Sequence, residues 1–111
     1  MAENKPQPVG DDAFEEKVTN SEGITVVDFW APWCGPCLHM APALDSFAES
    51  NADKVKVYKV DVDESPKTAQ KFEIRSIPTV IFFRDGEPAD VSIGAASESA
   101  LQGKLDALLE G

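Results

Sequence analysis

Cys34 and Cys37 are the only thiols in a chain of 111 residues, and they stand two residues apart directly behind the apolar run Ile24 to Trp30. Two thiols at that spacing at the mouth of a helix can close a small disulfide and reopen it, which is reversible two-electron chemistry. Competing uses fall short on counting. A tetrahedral zinc or iron site wants four ligands, and beside the thiols the chain has one histidine, His39. Covalent haem attachment wants His immediately after the second Cys, where Leu38 stands. A static structural bridge would close so short a loop that it restrains the unfolded chain little. A redox dithiol is therefore the leading reading, with a structural bridge and a shared metal site as the alternatives.

The neighbours of the thiols bear on the same chemistry. At the start of a helix, Cys34 would face unpaired backbone N–H groups and the positive end of the helix dipole, which favour thiolate over thiol. Gly35 and Pro36, between the thiols, bring no charge and no imidazole, so the thiolate is stabilised modestly and the balance suits a reductant. Asp28 is the only carboxylate in the apolar run leading to the site. Burial without a full partner raises a carboxyl pKa toward neutrality, which makes Asp28 the candidate general base. The bland alternative is a hydrogen-bonded or solvent-facing Asp at a strand edge.

The elements that must position these groups can be read from periodicity. Residues 1 to 8 are polar and include Pro6 and Pro8, so residues 1–10 are expected to be a tail or weak edge strand ahead of one domain over 11–111. Asp12 and Glu15 resemble a capping box, with Phe14 and Val18 spaced to bury one side of a short helix. Ile24 to Trp30 reads as a central strand covered on both faces. Leu38, Ala41, Leu44 and Ala48 recur at helical spacing over about four turns, with Pro42 expected to kink the helix. Val55, Val57, Val60 and Val62 mark the next strand, and Ser65 with Pro66 the cap and first position of a short helix carrying Ala69 and Phe72. Thr79 to Phe83 and Ala89 to Ile93 are joined through Asp85-Gly86, a strong hairpin signal. Ser97 opens a last helix with Leu101, Leu105 and Leu108 on its buried stripe.

Composition bounds the function. With 42% hydrophobic residues the chain suits one core, and a formal charge of -10, from 20 acidic against 10 basic residues, disfavours nucleic acid and anionic membranes. No apolar stretch approaches the roughly 20 residues of a membrane span, and Met1 to Gly10 lack the segments of a signal peptide. A reducing cytoplasmic setting is the expectation.

The string from Asp28 through Phe29, Trp30, Ala31, Pro32, Trp33, Cys34, Gly35, Pro36 to Cys37, with Ser76-Ile77-Pro78-Thr79 and Asp85-Gly86 downstream, resembles the thioredoxin family over roughly residues 11 to 109. The resemblance implies an α/β thioredoxin fold: a central mixed sheet of four to five strands flanked by about four helices. It implies a protein-disulfide reductase with no bound cofactor. Such a protein is recharged with electrons from NADPH by a flavin-containing thioredoxin reductase, works on disulfide-containing clients and is expected to be a monomer. By the same resemblance Cys34 is the exposed nucleophile and Cys37 the resolving thiol, while Lys59 accompanies Asp28. The Ile77-Pro78 bond is implied to be cis, and Trp33, Ile77, Pro78 and Gly94 belong to a client-facing rim. Leu38 departs from the family, where a cation is frequent, and so bears on partner choice. A second class of function is a binding module, in which the domain serves as a subunit of another protein without turnover.

Overall fold

The structure, a computed structural model, describes residues 5–111. The first four residues of the expected tail lie outside the described residues. Five strands, β1 (Gln7–Pro8), β2 (Ile24–Trp30), β3 (Lys56–Asp61), β4 (Thr79–Arg84) and β5 (Glu87–Ile93), form one mixed sheet in the order β1-β3-β2-β4-β5. Three α-helices, α1 (Gly35–Ser50), α2 (Pro66–Lys71) and α3 (Glu98–Glu110), and a π-helical turn at Glu15–Thr19 complete the described residues. This is the thioredoxin fold.

β2 lies at the centre of the sheet because its apolar run satisfies both faces. Val26 joins Leu44, Phe47, Leu101 and Leu105 on the side of α1 and α3, while Val27 and Phe29 join Phe14, Val18 and Phe83 on the opposite side. Asp28 alternates with Val27 and Phe29 and therefore shares the face of Val26, toward α1. β2 runs parallel to β3, with Asp28 opposite Lys59 and Trp30 opposite Asp61. Their carboxyl ends consequently open side by side, and the loops that follow them share one end of the sheet.

α1 continues through Pro42 without a break. Four local expectations need correction or refinement. The expected first helix is a single π-turn, and no side chain caps it, so the Asp12–Glu15 capping box is not formed. Phe14 and Val18 are nevertheless buried, because tertiary packing rather than capping holds the segment. Ser65 stands at the N-cap of α2 but its hydroxyl does not cap. Asp11 does so instead, accepting hydrogen bonds from the backbone N–H groups of Lys67 (3.2 Å) and Thr68 (2.8 Å) and from the Thr68 hydroxyl (2.6 Å). That hydroxyl above all holds the Asp11 carboxyl below its ordinary range. Finally, β1 is a two-residue parallel strand beside Tyr58 and Lys59 of β3.

The β4–β5 hairpin turns on Asp85 and Gly86, both at positive φ (51° and 85°), the requirement of a two-residue type I′ turn. A Cβ on Gly86 would lie 1.9 Å from the Thr19 carbonyl oxygen, whereas one on Gly23 (φ 78°) would meet nothing within 4 Å. Gly86→Ala is therefore expected to cost at least about 2 kcal/mol, read as a fall in melting temperature of roughly 10 °C, because dihedral strain adds to a backbone collision. Gly23→Ala should cost about half as much, since only the dihedral term applies. Equal losses in thermal unfolding would refute the collision.

Candidate redox site

Beyond Trp30 the chain turns through Ala31, Pro32 and Trp33 into Cys34, which is extended (φ -86°, ψ 109°) and is the N-cap of α1. Its side chain acts as the capping acceptor: the Cys37 N–H donates to Cys34 Sγ at 3.2 Å. Gly35 opens the helix, Pro36 follows in its first turn, and that turn contains no acidic residue. A sulfur so placed is stabilised as thiolate by the unpaired N–H groups and the helix dipole. Cys34 and Cys37 are joined by a disulfide, with their Cα atoms 5.3 Å apart. The pair packs with Ala31, Trp30, Val62 and Ile77.

The expectation of an exposed Cys34 is corrected, since in the disulfide the residue is 4% exposed. Its sulfur is bonded to Cys37 on one side and faces the Ile77 carbonyl oxygen at 3.8 Å on another. Exposure belongs to the residues around it, Trp33 at 69% and Leu38 at 52%. The Ile77–Pro78 bond is cis. The Thr79 hydroxyl donates to the Ser76 carbonyl, and the Gly94 N–H donates to the Pro78 carbonyl at 2.8 Å. The Ser76–Thr79 turn and Gly94 are thereby tied together beside Cys34. No neighbouring atom fills the space where a Gly94 side chain would stand.

Asp28 is buried, and among the described residues its Oδ1 has no hydrogen-bond partner. Burial pushes its carboxyl up from 3.8 to about 7, and the positive charge of Lys59 pulls in the opposite direction. Lys59 stands in register with Asp28 and holds its Nζ 4.1 Å from the centre of the Trp30 ring. The bland alternative for Asp28, a satisfied or solvent-facing carboxylate, is not what the fold contains. His39 is an exposed helix residue.

Sequence reasoning missed Asp63, whose Oδ2 accepts a hydrogen bond from the Trp33 indole N–H at 2.6 Å. The signal was available in principle. Two parallel neighbouring strands place their following loops together, so an acidic loop after β3 had to approach the loop after β2. A recess of about 690 Å³ lies at the other end of the sheet, near Gly23, Lys54 and Lys56, and neither thiol lines it. Among the described residues no three His, Cys, Asp or Glu side chains gather as a metal site, and no helix is long and apolar enough to cross a membrane.

A disulfide at a helix mouth, a buried carboxyl in the strand that leads to it and exposed Trp33 and Leu38 around it define the class as a thiol–disulfide redox domain. Comparison with known proteins gives the family. The thioredoxin family model matches residues 5–107, and the chain belongs to the thioredoxin family. It is 50% identical over 105 residues to the chloroplastic M-type thioredoxin of Pisum sativum, covering 95% of this chain and 61% of that protein. It is 46% identical over 98 residues to thioredoxin 1 of Synechococcus elongatus (88% and 92%) and 47% identical over 93 residues to the thioredoxin of Rhodospirillum rubrum (84% and 89%). The chain spans about three fifths of the pea protein and 57% of the M-type relative from Spinacia oleracea.

Proposed function

We propose that the chain is a protein-disulfide reductase whose working unit is the domain over 11–111. Cys34 as thiolate attacks one sulfur of a client disulfide, forming a mixed disulfide and releasing the other client sulfur as a thiolate, which takes up a proton. Cys37, deprotonated with Asp28 as the base, then attacks Cys34, and the client leaves as a dithiol while the Cys34–Cys37 disulfide forms. Two electrons pass to the client in each cycle. Lys59 modulates the Asp28 carboxyl by its charge, and Gly35 with Pro36 keep the gap between the thiols uncharged. Trp33, Ile77 and Gly94 form the rim where an extended client segment pairs with the Ile77 backbone in the manner of strand addition, whereas Pro78, expected on that rim, is buried and acts only by shaping the turn.

The observation that carries this reading is the Cys37 N–H directed at Cys34 Sγ at the N-terminus of α1. The protein needs no cofactor of its own in this scheme and acts as a monomer in a reducing cytoplasm. Its disulfide is reduced by a flavin-containing thioredoxin reductase drawing on NADPH. A ferredoxin-driven reductase is the second electron source to be tested. The test supplies each reductase system separately and follows reduction of insulin disulfides. Turnover with one system names the electron source. Absence of turnover with both, while dithiothreitol readily reduces the chain, would favour a subunit role without turnover.

A further inference from the structure

We infer that Asp63 is a positioning residue of the client-binding rim: its carboxylate holds the Trp33 ring in the orientation that clients meet. This rests on the reductase reading above and adds a residue which that reading does not use. Trp33 is 69% exposed, so packing does little to fix its two side-chain torsions. The one hydrogen bond of its side chain among the described residues runs from the indole N–H to Asp63 Oδ2, at 2.6 Å. A bond that short to an ionised acceptor is charge-assisted, the stronger kind, and it is directional.

The acceptor is itself fixed. The Asp63 N–H donates to Asp61 Oδ1 at 2.9 Å, the Val62 N–H to the Trp30 carbonyl at 2.9 Å, and the Ser65 N–H to the Asp61 carbonyl at 2.8 Å. The loop after β3 is thus tied to the end of β2, where Trp30 and Asp61 stand in register. A braced loop therefore holds the ring of the residue preceding Cys34. Preordering that ring spares each client the entropy of ordering it on arrival, which affects association rather than sulfur chemistry.

The experiment compares the full chain with Asp63→Ala and Asp63→Asn, using insulin as a protein disulfide and dithiobis-nitrobenzoate as a small one that does not need the rim. Asp63→Ala is expected to raise KM for insulin about 3- to 10-fold, with kcat and the rate on the small disulfide within about twofold of the unchanged chain. The Trp33 indole N–H should lose protection from hydrogen exchange in its NMR resonance. Asn presents a side-chain carbonyl that still accepts from the indole, so Asp63→Asn should restore most of both effects. A merely structural role would lower the melting temperature and leave KM and the indole resonance where they were, and that result overturns the inference. So does a kcat loss shared equally by both substrates. If the unchanged chain reduces neither disulfide, the reductase reading itself fails, an outcome distinct from a normal insulin KM in Asp63→Ala.

Discussion

A Cys37→Ser variant is expected to stop the cycle halfway, leaving clients held on Cys34 as mixed disulfides that dithiothreitol releases. Cys34 keeps its place as the N-cap of α1 in this variant, with the helix N–H groups still favouring its thiolate. First attack therefore proceeds. The serine hydroxyl cannot displace the client sulfur, so multiple turnover should fall by at least about 10³-fold while one equivalent of client is captured. Cys34→Ser should lose the same turnover and capture nothing, because only position 34 is the N-cap where the helix N–H groups favour a thiolate, while Cys37 lies within the first turn of α1. Non-reducing gels and mass spectrometry of the adducts separate the two variants. Capture by Cys34→Ser instead of Cys37→Ser would reverse the assigned roles, and an active Cys37→Ser enzyme would remove the resolving step.

Much of this arrangement is legible in the residues themselves, and the remainder is hidden for physical reasons. β2 announces itself because a strand covered on both faces has to be apolar throughout, and Asp28 stands out against that background for the same cause. Asp85-Gly86 specifies its turn through positive φ, a local property of two residues. What stays hidden depends on partners far away in sequence. Asp11 caps α2 across 57 residues, displacing the local candidate Ser65, and Asp63 meets Trp33 across 30. Neither pairing leaves a periodic trace. The segment at Glu15–Thr19 closes as a π-turn although its apolar spacing suits an α-helix, since both periods bury Phe14 and Val18. The burial of Cys34 leaves no trace in the spacing of two thiols, since the Ile77 carbonyl that its sulfur faces lies 43 residues away.

Asp28→Asn is expected to make the protein more stable and slower at once, with both effects tied to pH. The carboxyl is raised in the folded chain from 3.8 to about 7, chiefly by burial. The folded state consequently holds this proton over a range where the unfolded chain has released it. The associated stability is complete below about pH 4 and is lost as pH rises to about 7, amounting to on the order of 4 kcal/mol above that point. Asn does not titrate. The variant should match the original near pH 4 and exceed it progressively, by about 2 to 4 kcal/mol near pH 8, in denaturant unfolding followed across pH. Unfolding curves that stay parallel from pH 4 to 8 would exclude the buried carboxyl as the source. The same substitution removes the acceptor for the Cys37 proton. Release of the mixed disulfide should slow by about 10- to 100-fold, most strongly between about pH 7, where Asp28 becomes ionised, and about 8.5, where a thiol ionises unaided. In the proposed cycle a carboxyl whose Oδ1 has no partner among the described residues thus costs the fold stability at neutral pH and is the base for resolution. A variant that gained stability without losing rate would leave Asp28 a defect of the core instead of part of the cycle.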